Sequence, residues 1–312
     1  MVEAIKHLWE RLSRELSKVV VGKQDVVEKI FISLLAGGHV LLEGVPGIAK
    51  THIAKNFSAA LGCKFKRIQF TPDLLPMDIL GSNVYIQRTG EFVFREGPIF
   101  ANVVLADEVN RSPPKTQSAL LECMQERQVT VEGKTYPLPS PFIVLATQNP
   151  IELEGTYPLP EAQVDRFLMK ILVDYPSKEE ELQILELKER EKEVKPVTSA
   201  REIVRLSKEV EKVYVDPSIR NYIAELVLRT RKSPDLLLGA SPRASLSLQL
   251  TSRVHAALRG RDFVIPDDVK AMLIPVLNHR LILRPEAELE GKSVLDVIRS
   301  IESSVEVPRL KG

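Results

Sequence analysis

The chain has 312 residues, a length suited to about two domains, and 44% of them are hydrophobic, enough to bury a sizeable core. Its 43 Lys+Arg and 42 Asp+Glu leave a formal charge of +1, which argues against a globally basic nucleic-acid binder. Two distant cysteines, Cys63 and Cys123, and five histidines without metal-ligand spacing argue against a disulfide framework or a zinc site, and fit a reducing cytoplasm.

Val2, Ile5, Trp9, Leu12 and Leu16 recur at steps of three and four, one face of an amphipathic helix. That pattern is not the uninterrupted apolar core of a signal peptide. No later run approaches the ~20 apolar residues of a membrane span. The run 39–43 reads as a strand, and Gly44-Val45-Pro46-Gly47-Ile48-Ala49-Lys50-Thr51 follows it before a helical stretch. Strand, glycine loop, Lys-Thr and helix form the layout of a phosphate-binding loop. Loop amides point at an anion, Lys50 adds a charge at the outer phosphates, and Thr51 offers a hydroxyl to Mg²⁺. Ala49 stands where the pattern has a second glycine, adding a Cβ where positive φ is expected. The plain alternative is a β-to-α turn that binds nothing.

Further apolar runs at 65–70, 102–107, 142–147 and 168–173 read as buried strands, and with 39–43 they imply a mainly parallel sheet covered by helices. Ligands of such sheets bind beyond the carboxyl ends of the strands. The glycine loop, Asp107-Glu108 and Thr147-Gln148-Asn149 all fall there. A short helical piece is expected around 73–80. Hairpins are expected at 83–87 with 91–95, around Thr89-Gly90, and at 128–131 with 134–138, around Glu132-Gly133. Beyond Tyr175-Pro176 the pattern turns helical without convincing strands. Ser177 with Glu180 makes a capping box, and Asp216-Pro217, Ser241-Pro242 and Pro266-Asp267-Asp268 open helices. The charge run 186–195 reads as a solvated helix end or connection.

Asp107 ends its strand with a carboxylate suited to Mg²⁺, and Glu108 is suited to polarising an attacking water. Asn149 can hold a water near a terminal phosphate without adding negative charge; an Asn-Pro turn is the alternative. Arg166, just before the fifth run, can neutralise charge on a transferred phosphoryl group; a surface ion pair is the alternative.

The motif order GVPGIAKT, LADEVNRSPPKTQSALLECMQE, ATQNP, LPEAQVDRF and GASPRA resembles the AAA+ ATPases, specifically the MoxR-type branch, over nearly the whole chain. The resemblance implies a P-loop α/β core with hairpin insertions over residues 1–176 and a helical lid over 177–312. It puts Val21-Gly22 near adenine, Gly44 to Thr51 on the phosphates, Thr51 and Asp107 on Mg²⁺, and Asp107-Glu108 as the Walker B pair. Asn149 becomes sensor 1, Arg166 a finger for a neighbouring subunit, and Arg243 a sensor 2 serving its own nucleotide or a neighbour's. Arg111 is a further candidate for contact with a neighbour. The hairpins match the helix-2 insert and the pre-sensor-1 hairpin.

The implied function is an ATP-driven, chaperone-like remodeller. It would form a ring, expected as a hexamer, and act on a client protein such as a von Willebrand factor A-domain protein. A DNA motor is one alternative, but the hairpins offer only Arg88, Arg95 and Lys134, and the groups Arg229, Arg231, Lys232 and Arg253, Arg259, Arg261 read as solvated. A nucleotide-dependent switch with little turnover is another; the set Glu108, Asn149 and Arg166 favours turnover over it.

Overall fold

The computed structural model describes residues 2–45, 47–149, 155–188 and 193–308. Among the described residues nine strands precede residue 177: β1 (Val40–Glu43), β2 (Phe65–Gln69), β3 (Gly81–Ile86), β4 (Glu91–Glu96), β5 (Val103–Asp107), β6 (Gln128–Val131), β7 (Lys134–Pro137), β8 (Ile143–Gln148) and β9 (Met169–Leu172). Five of them form a parallel sheet in the order β2-β5-β8-β1-β9. Helices α1 (Val2–Leu16) and α2 (Gln24–Leu35) precede the sheet, and α3 (Lys50–Ala60), α4 (Pro76–Leu80), α5 (Pro114–Glu126) and α6 (Glu161–Val164) lie between its strands in sequence.

Strand alternation divides the core into two layers, because successive side chains point to opposite faces. Val40, Leu42, Val103, Leu105, Ile143 and Leu145 face a cluster that includes the apolar faces of α1, α2 and α3. Leu41, Val104, Ala106, Val144 and Ala146 face a second cluster with Leu120, Leu121 and Met124 of α5. The C-terminal helices are α7 (Lys178–Lys188), α8 (Ala200–Val210), α9 (Pro217–Lys232), α10 (Pro242–Leu258), α11 (Pro266–Leu277), α12 (Pro285–Leu289) and α13 (Val294–Ser304), and from α8 onward they join the first cluster through residues such as Ile203, Leu206, Tyr222, Leu248 and Leu273. The first helix packs on α10, α3 and α8.

The capping residues act as their spacing suggests. Ser177 and Glu180 bond reciprocally at the start of α7, and the side chains of Asp216 and Ser241 accept from the backbone N–H groups of Ser218 and Arg243. Each such cap is worth about 1 kcal/mol. Both hairpins form, β3 with β4 and β6 with β7, and they meet where Phe94 stacks on Tyr136 with centroids 4.1 Å apart.

Three features differ from the sequence expectation. The run 65–70 is not buried throughout: β2 lies at the sheet edge, so Lys66 and Arg67 are exposed. The helical region holds a short antiparallel pair, β10 (Leu236–Leu238) with β11 (Ile282–Leu283), too short to register as an apolar strand pattern. Several of its arginines are also engaged rather than simply solvated. Arg259 pairs with Glu28, Arg261 with the fully buried Asp268, and Arg231 donates to the Ala240 carbonyl. Part of the charge run 186–195 lies outside the described residues.

Candidate functional site

The glycine loop leaves β1 at the carboxyl edge of the sheet and feeds α3. At Gly44 a Cβ would sit 2.4 Å from the Val173 carbonyl oxygen, so only glycine fits between the strands. Gly47 has φ +86° and open space where its Cβ would be, leaving its backbone approachable by a ligand. Ala49 takes the left-handed conformation with φ 56°, so the missing glycine falls where positive φ is needed. The strain is of order 1–2 kcal/mol. Pro46 lies outside the described residues, and Val45 is half-buried before it.

Gly47, Ile48, Ala49, Lys50 and Thr51 line one cleft of about 400 Å³ with Asp107, Glu108 and Asn149. The half-buried Lys50 ammonium donates to the Gly44 carbonyl at 2.6 Å. Burial pulls its pKa below the ordinary value, while Asp107, Glu108 and Glu43 oppose that shift.

The two acids diverge because Glu108 also has a left-handed backbone, φ 58°. Asp107 Oδ1 accepts from the buried Thr147 hydroxyl at 2.6 Å, and that hydroxyl oxygen accepts from Glu108 N–H at 2.8 Å. Glu108 turns instead toward Gln69, whose amide donates to Oε2 at 2.7 Å, and toward Arg111 at 3.3 Å. Asn149 lies just beyond the end of β8, the next strand over, and is buried at the same cleft. The donor set fits a hydrated, phosphate-bound divalent cation: a hydroxyl and a carboxylate are hard oxygen ligands, and the approachable loop backbone suits the phosphates.

Val21 and Gly22 line a neighbouring cleft of about 320 Å³ with Gln24, Gln183 and Leu187. His52 lines the first cleft, and its Nε2 bonds the carbonyl of Val19, next in sequence to Val20 of the second, at 3.0 Å. Gly22 has φ +68°, and a Cβ there would run into the Glu180 carboxylate of α7.

Arg166 and Arg243 are brought together, but not at this edge. Both line a cleft of about 380 Å³ beside His39, Arg127 and Arg280. Arg166 precedes β9, which runs parallel to β1 in register Val40 with Met169. The strand length alone, about 13 Å, therefore separates the amino edge from the loop after β1. Asp165 accepts from the buried Arg280 at 2.8 Å and pairs with the half-exposed Arg243 at 3.6 Å. Arg166 is exposed and donates to the Leu121 carbonyl at 3.4 Å, so the neighbouring acid is committed to other arginines.

A family model described as the ATPase family associated with various cellular activities (AAA) matches residues 39–169, and the AAA lid domain model matches residues 228–301. The chain is 48% identical to protein YeaC of Bacillus subtilis (strain 168), covering 98% of this chain and 97% of that one. It is 46% identical to chaperone MoxR1 of Mycobacterium tuberculosis (strain ATCC 25618 / H37Rv), covering 98% and 84%. A crystal structure from Cytophaga hutchinsonii ATCC 33406 superposes with TM-score 0.93 at 44% identity, covering 99% of this chain and 97% of that one. The chain belongs to the MoxR-type AAA+ ATPases.

In this MoxR-type ATPase the motifs do not include two side chains that bond the acids of the carboxyl-edge cleft. Arg67 bonds Asp107, and Gln69 bonds Glu108. They occupy alternate positions at the end of β2, next to β5 in the sheet. A polar residue every second position at a carboxyl strand end was the available signal, hidden within an apolar run.

Proposed function

We propose that this chain works as an ATP-driven, chaperone-like remodeller of client protein complexes, assembled as a ring with active sites completed between neighbours. The observation that carries this reading is the division of polar groups between two sheet edges. Lys50, Thr51, Asp107, Glu108 and Asn149 share the carboxyl-edge cleft, whereas Arg166 and Arg243 share the amino-edge cleft. A finger that cannot reach its own chain's phosphates is of use to a neighbour's. Arg243 then serves in trans beside Arg166.

In this reading residues 1–176 bind nucleotide and 177–312 form the lid. Val21-Gly22 sit by the adenine, the loop from Gly44 to Thr51, including Val45, Pro46 and Ile48, cradles the phosphates, and Lys50 holds the outer ones. Thr51 and Asp107 hold Mg²⁺, which supplies neutralisation of phosphate charge. Glu108 takes a proton from the attacking water, and Asn149 orients that water. Arg166 offsets charge on the transferred phosphoryl group. The name of the Mycobacterium tuberculosis relative supports a chaperone-like role. A hexameric ring, a cytoplasmic setting and a von Willebrand factor A-domain client belong to the same proposal. Among the described residues no helix is long and apolar enough to cross a membrane.

Glu108→Gln tests the chemistry. The amide keeps the shape but cannot take a proton, so hydrolysis should fall by about 10²–10⁴-fold while ATP stays bound. Hydrolysis at the wild-type rate would remove Glu108 from the reaction.

A further inference from the structure

Asp107 is the carboxylate that the proposed cation site depends on, and it already carries a cation of its own. Arg67 Nη2 and Nε donate to Asp107 Oδ2 at 2.7 and 3.0 Å. Thr147 donates to the other oxygen at 2.6 Å. A carboxylate offers about four lone-pair positions, so three are taken. A divalent cation approaching Asp107 meets a saturated oxygen and a positive guanidinium within hydrogen-bond distance, and like charges repel more strongly in a partly buried site than in bulk water.

The same guanidinium has a second attachment. Its Nη2 also donates to the Gln69 side-chain oxygen, and the Gln69 amide donates to Glu108 Oε2 at 2.7 Å. Arg67 therefore touches the metal carboxylate directly and the catalytic carboxylate through one residue. An ordinary surface pair has no such double connection. Arg67 lines the nucleotide cleft from the exposed edge strand, so its side chain has room to leave Asp107 without disturbing the core.

We propose that Arg67 is a positioning residue that competes with the divalent cation for Asp107 and thereby sets the cation concentration at which nucleotide binds with its metal. Loss of the Arg67 contact on cation binding also releases Gln69 from its donor, which couples filling of the metal position to the orientation of Glu108. The inference rests on the nucleotide reading of this cleft.

The test is equilibrium binding of a fluorescent ADP to the full chain across a Mg²⁺ titration, which needs no turnover. Arg67→Met should lower the Mg²⁺ concentration at half-effect about fivefold, the order expected for one half-exposed ion pair. Arg67→Lys should remain near wild type, because an ammonium still competes. Arg67→Gln should repeat the Arg67→Met shift, so the result does not hang on one variant's folding. A half-effect concentration unchanged or raised in both neutral variants would overturn the inference while leaving the nucleotide site intact. ADP binding by wild type that ignores Mg²⁺ would overturn it together with the metal assignment. Absence of any ADP binding would overturn the nucleotide reading itself, and this inference with it.

Discussion

The two edges of the sheet are built on different terms. The carboxyl edge accepts local backbone strain: Ala49 and Glu108 both adopt left-handed conformations, at φ 56° and 58°. The strain turns the backbone sharply where the loop and the acids must face a ligand, a cost of roughly 1–3 kcal/mol per residue. The amino edge has one left-handed residue too, Arg127 at φ 53°, but it is organised by a buried polar frame. His39 bonds the Met124 carbonyl and the Val144 N–H, His279 bonds the Phe167 carbonyl, and Arg280 holds Asp165 together with the carbonyls of Phe167 and Leu168. That frame presents two exposed arginines, Arg166 and Arg243. One edge turns its backbone at the loop and the acids to shape a pocket, and the other uses hydrogen-bonded buried groups to aim charges outward.

Asp165→Ala attacks the amino edge hardest. Arg280 has only 2% of its side chain exposed, so removing its carboxylate leaves a buried charge without its counter-ion. The expected loss is about 3–5 kcal/mol, read from urea unfolding. A loss below about 1 kcal/mol, the scale of a surface pair, would show that the frame does not depend on this contact.

A smaller effect should appear with pH. Burial lowers the His39 pKa from 6.5 to about 4, with the Met124 carbonyl opposing the shift and Arg127 adding to it. The unfolded chain takes up this proton near 6.5, and the folded chain only near 4. Stability from His39 is thus complete above about pH 6.5 and is lost as pH falls through the window to about 4, by about 3 kcal/mol in total. His279, also held well below its usual value by burial, acts in the same direction. Unfolding free energies of wild type and His39→Gln between pH 7 and 4.5 should converge as pH falls. Parallel curves would exclude His39 as the titrating group.

The smallest effect belongs to the carboxyl edge. Ala49→Gly relieves the left-handed strain but loosens the unfolded chain, and the two terms nearly cancel. Stability should move by less than about 1 kcal/mol, with ADP affinity unchanged. A large change in affinity would mean that the Ala49 methyl itself shapes the pocket.

The carboxyl edge was largely legible in the sequence because its residues sit next to the features that fix their place. Lys50 and Thr51 follow a strand and glycine loop, and Asp107-Glu108 and Asn149 directly follow apolar runs. Arg67 and Gln69 escaped because β2 is an edge strand, where polar side chains carry no obligation to be functional. The amino-edge frame escaped for another reason. Asp165 and Arg280 are 115 positions apart, and only the packing of the loop after α11 against the start of β9 joins them. Arg243 could be found as the first turn of a capped helix, but its partnership with Arg166 at one cleft depends on that same tertiary contact.

The most direct test of the divided site is ATP hydrolysis by a mixture of Lys50→Ala and Arg166→Ala chains, each nearly inactive alone. The first lacks a working phosphate loop but still presents its arginine; the second has the loop but no finger. If edges of neighbouring chains complete one another, mixing restores turnover. If the two variants demonstrably co-assemble and turnover stays absent, Arg166 does not act between subunits, and the division of the active site across the two edges is contradicted.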